Sequence, residues 1–226
     1  MSTFNVIFDL NGTLVDTESA YFLAYKDVLK QHGVDFTMQE FTDNWSTKGK
    51  KLNDYLENIG RQDLLPQEKA ILKEKDDIFQ KTINERVKIM DGATEILIMM
   101  QKKGILPGLD SSTTRENIGH ILYAVRLESF FRVISAGDTL FDETKYGDRK
   151  KKESRLRYLA DQMQSSPEHT IVIGDAEKDL SGAKKAGMKV VAIPNQYTQN
   201  NDFSLADCQF SSLRDISITD LEILVQ

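Results

Sequence analysis

The sequence has 226 residues, of which 40% are hydrophobic and 28% are charged, and its formal net charge is −6 at pH 7. Such a chain can bury a full core, and its acidic balance argues against nucleic acid as a partner. A single cysteine, Cys208, excludes an internal disulfide framework and argues against a cysteine-rich zinc site. Because the first residues lack both basic charge and a long apolar stretch, we expect a cytoplasmic protein without a signal peptide or membrane partner.

In chain order, short apolar runs alternate with amphipathic segments that have helical spacing. The last two runs are rich in β-branched residues, as buried parallel strands are. This alternation predicts an α/β fold with an open parallel Rossmann-like sheet and helices on both faces. The predicted strands cover 5–8, 105–109, 132–135, 170–173 and 189–193, and the clearest helices between them cover 117–125, 156–163 and 180–186.

The segment 17–87 breaks this alternation. Apolar side chains recur with helical spacing between Phe22 and Leu29, and Gly33 follows them as an expected C-cap. We therefore predict a helical cap domain at 17–87. It would be inserted after the first strand of a core domain formed by 1–16 and 88–226.

Polar residues follow three of the predicted strands, at the edge where ligands of open parallel sheets bind. Carboxylate oxygens that meet there suit Mg²⁺, and an aspartate can attack phosphorus when cations neutralise the approach. The residues that follow these strands are Asp9, Asn11, Gly12 and Thr13 after the first, Asp110, Ser111 and Ser112 after the second, and Asp175 and Asp179 after the fourth.

The residues around Ser111 support two local predictions. Thr113 and Glu116 have capping-box spacing, so a helix should begin just beyond Ser111. Its N-terminus would favour a phosphate. We expect Asp110 to point away and cap this helix, since an inward carboxylate would place negative charge where phosphate binds.

These motifs resemble the haloacid dehalogenase (HAD) superfamily, in particular its phosphatases and phosphomutases with an inserted helical cap. The family pattern D-x-D-G-T corresponds to 9–13, with Asn11 in place of the second aspartate. The Ser or Thr that follows the second strand corresponds to Ser111, and G-D-x-x-x-D corresponds to 174–179. The resemblance covers nearly the whole chain.

The family's lysine motif, K-P-x-P-D, is the element that this sequence lacks. The basic run 149–152 stands in its place, without proline. Counting back from Pro167 by the usual spacing selects Lys150, with Lys151 and Lys152 as close competitors.

The resemblance implies a role for each matched residue. Asp9 would be the nucleophile and would hold Mg²⁺ together with Asp175, Asp179 and the backbone carbonyl of Asn11. Ser111 and Lys150 would hold the transferring phosphoryl group of a small phosphorylated metabolite. The other residues that we place at the substrate are Gly12, Thr13 and Ser112 of the core and Lys48 and Gly49 of the cap.

Asn11 changes the expected outcome, because relatives use a carboxyl group here to protonate the leaving group and then to activate water. The amide keeps the backbone carbonyl but loses acid/base catalysis, which is worth ~10² to 10⁴ in rate. The sequence therefore predicts a Mg²⁺-dependent phosphohydrolase that works through an aspartyl-phosphate, with weak or absent turnover.

Several alternatives stay open. The chain could be a sugar-phosphate mutase, or a natural, catalytically impaired phosphoester-binding protein, and Asn11 could be natural or engineered. Phosphonatase or dehalogenase chemistry fits less well, since dehalogenases do not use the metal that Asp175 and Asp179 suit. The protein is expected to be a monomer or a homodimer.

Overall fold

The structure, a computed structural model, describes residues 4–46 and 51–226. The chain divides into two compact units. One comprises the chain up to Asp16 and from Lys88 onward, and the other comprises Thr17–Val87. Each has its own hydrophobic core, and the predicted substrate contacts Lys48 and Gly49 lie outside the described residues. Within the described ranges, no helix has the length and apolar character needed to cross a bilayer.

The first unit is built on a parallel sheet, which confirms the predicted α/β fold. Its strands are β1 (Asn5–Asp9), β4 (Gly108–Asp110), β5 (Val133–Ser135), β6 (Thr170–Gly174), β7 (Lys189–Ala192) and β8 (Cys208–Gln209). The strand order is β5-β4-β1-β6-β7-β8. A separate antiparallel pair, β2 (Val15–Asp16) and β3 (Lys88–Ile89), lies where the chain leaves this unit and returns to it.

The central position of β1 determines where the polar edge lies. Val6, Ile7 and Phe8 are fully buried, as expected for a parallel strand that is covered on both faces. β1 pairs with β4 on one side and with β6 on the other, and Asp9 is in register with Asp110. The carboxyl ends of β1, β4 and β6 therefore open at the same edge of the sheet.

Helices cover this sheet, and three of them begin two to four residues before their predicted starts. Their first turns are polar and show no apolar periodicity, so the sequence pattern missed them. The α-helices described in this unit are α5 (Ala93–Lys102), α6 (Arg115–Val125), α7 (Glu143–Tyr146), α8 (Lys152–Gln162), α9 (Glu177–Ala186) and α10 (Ile218–Leu224). Those described in the second unit are α1 (Glu18–Gln31), α2 (Met38–Phe41), α3 (Leu52–Asn58) and α4 (Glu68–Arg86).

Apolar side chains of α8 and α9 pack with the buried faces of β1 and β6. Leu156 and Leu159 of α8 and Leu180 of α9 are fully buried in one cluster with Ile7 and Val172. Burying a leucine side chain contributes about 1.5–3 kcal/mol. This packing fixes the first turns of both helices beside the carboxyl edge of the sheet.

The regular secondary structure described in the second unit is all helical, and α1 to α4 share one core. Aromatic rings dominate this core: Phe36 lies against Phe41 and Tyr55 with ring centroids 6.3 and 5.1 Å apart. The C-cap residue of α1 is His32, one position before the predicted Gly33, and Gly33 follows it with φ of +70°.

Candidate active site at the carboxyl edge of the sheet

Three carboxylates converge where β1 and β6 end and α9 begins. Asp9 is the last residue of β1, Asp175 follows β6, and Asp179 lies in the first turn of α9. All three are buried, and one oxygen from each lies within 4.8 Å of the others. Buried like charges at this distance repel one another, so the arrangement requires cations.

Asp175 is held by hydrogen bonds from two directions. Thr13 Oγ1 donates to Asp175 Oδ1 over 2.9 Å, and Asn195 Nδ2 donates to Asp175 Oδ2 over 2.8 Å. Asn195 Nδ2 also lies 3.0 Å from the carbonyl oxygen of Gly12, which it ties to Asp175. Thr13 thus contacts a metal-ligand candidate, and its contact to substrate stays a prediction.

Gly12 is the residue that lets the loop after β1 approach Asp175. Its φ is +86°, and a Cβ there would lie 2.4 Å from Asp175 Oδ2. Both the backbone conformation and the space therefore require glycine.

Asn195 was not predicted from the sequence. It lies three residues beyond the end of β7, at the same edge of the sheet as Asp175. The rule that located the other residues, namely to look just beyond each parallel strand, would have found it had it been applied to this last predicted strand.

Lys152 supplies the central cation of the site. Its Nζ lies 2.6 Å from Asp9 Oδ1, 2.6 Å from Asp179 Oδ1 and 3.3 Å from Asp110 Oδ2, and only 9% of its side chain is exposed. A lysine ammonium in contact with an aspartate at the end of the central strand can also bind an anion that reaches that aspartate.

The structure places Lys150, the lysine selected by spacing, at the protein surface. Its backbone N–H donates to the side chain of Asp148 over 2.9 Å, within a turn that precedes α8. Lys151 is exposed as well. Because α8 begins at Lys152, only this third lysine of the run contacts Asp9. The predicted phosphate-binding lysine is therefore Lys152 instead of Lys150.

Ser111 lies buried just beyond β4, and Ser112 after it is exposed. The Ser111 N–H donates to the Ser135 carbonyl over 3.0 Å. Its Oγ accepts from the backbone N–H of Thr113 over 3.2 Å. The predicted capping box is wrong by one residue: Thr114 is the N-cap of α6, and its side chain accepts from the Asn117 N–H.

Asp110 does not cap a helix, contrary to the prediction. It is fully buried and accepts two hydrogen bonds from Arg155, from Nε over 2.8 Å and from Nη2 over 3.1 Å. Arg155 is 5% exposed. The inward carboxylate is therefore paired with a cation of its own, which offsets the charge that would oppose phosphate.

Asn11 is partly exposed and lies at the start of the loop after β1. Its side-chain Oδ1 is buried and has no hydrogen-bond partner among the described residues. An unsatisfied buried polar atom costs ~1–3 kcal/mol. The amide oxygen is thus available to a ligand of the site.

Burial and neighbouring charges shift the pKa values of the three carboxylates in different directions. Burial raises the pKa of Asp9 to about 6, although Lys152 opposes this shift. Burial, together with the charges of Asp179 and Asp9, raises the pKa of Asp175. Burial acts on Asp179 in the same sense, but Lys152 and Lys178 hold the pKa of its carboxyl below its usual value. Asp179 is therefore the most readily ionised of the three.

Comparison with known proteins gives matches over most of the chain. A family model described as Haloacid dehalogenase-like hydrolase matches residues 6–193. Protein CbbY of Rhodobacter capsulatus is 26% identical over 216 residues, covering 92% of each protein. The Phosphorylated carbohydrates phosphatase of Thermotoga maritima is 28% identical over 187 residues, covering 81% of this chain and 82% of the relative.

A solved structure of CbbY from Rhodobacter sphaeroides shares the fold. That protein was crystallised as an aspartate-to-asparagine variant in complex with xylulose (1,5)bisphosphate. The TM-score is 0.75 with 23% identity, and the match covers 96% of this chain and 98% of that chain.

Proposed function

The chain belongs to the haloacid dehalogenase-like hydrolases, as a phosphatase- or phosphomutase-like enzyme, and on that premise we propose that it hydrolyses a small phosphorylated metabolite. One observation carries the proposal. Asp9, buried at the end of the central strand, lies beside two further carboxylates and in contact with the Lys152 ammonium. A phosphorylated carbohydrate is the substrate class that the names of the relatives favour.

We propose Mg²⁺ as the cofactor, held by Asp9, Asp175 and Asp179 together with the backbone carbonyl of Asn11. One observation supports the fit: one carboxylate oxygen from each of the three aspartates lies within 4.8 Å of the other two. Mg²⁺ prefers such hard oxygen donors. When bound, the ion offsets the repulsion between the attacking carboxylate and the phosphate group.

Asp9 acts as the nucleophile in the proposed reaction. A carboxylate oxygen of Asp9 forms a bond to phosphorus while the bond between phosphorus and the ester oxygen breaks. The Lys152 ammonium stabilises the negative charge of the transferring group, and the Ser111 hydroxyl binds one of its oxygens. Water then attacks phosphorus, which breaks the bond to Asp9 and releases inorganic phosphate.

Asn11 limits both steps. The departing ester oxygen needs a proton, and the attacking water must lose one, but an amide neither donates nor accepts protons as a carboxyl group does. Loss of general acid/base catalysis lowers a rate by ~10² to 10⁴. We therefore expect the site to bind phosphate esters well and to turn them over slowly.

The Asn11→Asp variant tests this function against a panel of small phosphate esters, with and without Mg²⁺. The kcat for phosphate release should increase by ~10² or more over that of the unchanged chain, and only when Mg²⁺ is present. ³¹P NMR of the products distinguishes hydrolysis from transfer within a sugar phosphate. Asp9→Asn in the same background is the control and should abolish the gain.

Two outcomes would contradict the proposal. If Asn11→Asp gives no gain while the protein still binds phosphate, a phosphoester-binding protein is the better description. If the restored activity does not depend on a divalent ion, the carboxylates do not form the proposed metal site.

A further inference from the structure

We propose that Arg155 and Asp110 are positioning residues that hold the Lys152 ammonium at the phosphoryl-binding position. The inference rests on the proposed function, since it concerns the cation that receives the transferring group. It assigns a role to a buried ion pair that takes no direct part in the reaction.

Arg155 contacts β4 and the turn before α8 at the same time. Its Nε and Nη2 donate to the two oxygens of Asp110, and its Nη1 donates to the carbonyl oxygen of Lys150 over 3.1 Å. A guanidinium is planar and presents its donors in a fixed fork, so it can bind both groups only in one orientation. The start of α8 is thereby tied to the end of β4.

This contact determines which lysine enters the site. The backbone N–H of Arg155 donates to the Lys151 carbonyl over 3.3 Å, and the Lys151 N–H donates to the Asp148 carbonyl over 2.9 Å. The turn therefore ends at Lys151, and Lys152 becomes the first residue of the helix. Lys152 and Arg155 are three positions apart, so they lie on one face of α8.

The stem of Lys152 is confined as well. A Cβ on Gly182 of α9 would lie 2.8 Å from Lys152 Cγ and 2.9 Å from Lys152 Cβ, so the side chain passes α9 only because residue 182 is glycine. Beyond this point the ammonium lies between Asp9 and Asp179, with Asp110 Oδ2 at 3.3 Å.

Arg155 also controls the competition among these carboxylates. Arg155 donates to both oxygens of Asp110, so the attraction between this carboxylate and the Lys152 ammonium is weaker. The ammonium therefore makes its shorter contacts with Asp9 and Asp179. Without Arg155, an uncompensated buried Asp110 would draw the ammonium away from Asp9.

A purely stabilising role makes a different prediction. Replacing a buried ion pair by apolar residues of similar size is often neutral or stabilising. The double variant Asp110→Leu/Arg155→Met should therefore stay folded, with an unchanged or higher midpoint of urea unfolding. If the pair only stabilises the core, phosphate binding should be unchanged too. If it positions Lys152, binding should weaken although the fold is intact.

The experiment combines two measurements on the wild-type protein and the double variant. Titration calorimetry with inorganic phosphate in the presence of Mg²⁺ should show affinity at least ~10-fold weaker in the variant. The reason is that a displaced Lys152 ammonium no longer makes its charge-assisted contact with phosphate. ¹⁵N NMR of lysine ammonium groups, without phosphate, should show a slowly exchanging Lys152 signal that the variant loses, with Lys152→Met to assign it. The exposed pair Asp91–Arg214, changed to Leu and Met, is the matched control and should alter neither result.

The outcomes separate this inference from the proposed function. Equal phosphate affinity and an unchanged Lys152 signal in a folded double variant would overturn the positioning role. If the wild-type protein binds no phosphate but the ammonium signal still depends on the pair, the positioning role is supported and the proposed function fails.

Discussion

Replacing Gly12 by alanine tests whether the loop after β1 is fitted to Asp175. A Cβ at this position would lie 2.4 Å from Asp175 Oδ2 and 2.9 Å from Asn195 Nδ2. Neither group can retreat freely, because Asn195 and Thr13 both donate hydrogen bonds to the Asp175 carboxylate. The substitution must therefore strain the backbone, break one of these bonds, or both.

The expected loss in stability follows from these two terms. A positive φ costs an alanine ~1–2 kcal/mol, and the loss of one hydrogen bond to a charged group costs ~1.5–3 kcal/mol. Gly12→Ala should therefore lower the free energy of unfolding of the first unit by about 2.5–5 kcal/mol. The displaced carboxylate should also bind Mg²⁺ less tightly.

Gly104→Ala is the matched control in the same unit. Gly104 has φ of +71°, and within the described ranges a Cβ there would meet no heavy atom within 4 Å, so only the backbone term of ~1–2 kcal/mol applies. Native-state hydrogen exchange of the β6 amides reports the opening free energy of this unit separately from the other. If Gly12→Ala costs no more than Gly104→Ala, the close fit between the loop and Asp175 is refuted.

Three further substitutions examine the lysine and its surroundings. Lys152→Met should weaken phosphate affinity at least ~10-fold in titration calorimetry, whereas Lys150→Met should stay within about twofold, because only the former removes a charge-assisted contact. Gly182→Ala should also weaken phosphate binding, by crowding the lysine stem. Its control is Gly119→Ala, at a helical glycine with no heavy atom of the described chain near its Cβ, which should leave phosphate affinity unchanged and add ~0.5–1 kcal/mol of stability. Asn195→Ala should lower the opening free energy from hydrogen exchange by ~1–3 kcal/mol and weaken Mg²⁺ binding, since Asp175 Oδ2 and the Gly12 carbonyl oxygen both lose the Asn195 donor; unchanged Mg²⁺ affinity would argue against the metal site.

The carboxylates could be located from the sequence because each lies within a few residues of a strand. Asp9 ends a strand, Asp175 and Ser111 follow one directly, and parallel topology brings all such positions to one edge. The α/β fold could be predicted as well, because apolar strand runs and segments with helical spacing alternate along the chain. The two-residue strands β2, β3 and β8 carry no period that a pattern could reveal.

The lysine could not be located in the same way. Lys150, Lys151 and Lys152 are consecutive, and no local signal distinguishes them. The start of α8 depends on the contact between Arg155 and Asp110, two residues that are 45 positions apart in the chain. The same holds for the cap of α6, where two adjacent threonines compete and the tertiary structure selects Thr114.

The unusual residues of this site act on its charge in opposite directions. Asp110 adds a buried carboxylate, but Arg155 donates two hydrogen bonds to it and neutralises its charge, so the position occupied by phosphate gains little negative charge. Asn11 removes a carboxylate from the loop that would face the substrate, which lowers repulsion toward a phosphate ester. Both changes keep affinity for phosphate, and only the second removes a proton donor. Position 11 therefore links affinity to turnover, and Asn11→Asp should raise the rate while it weakens the binding of phosphate esters.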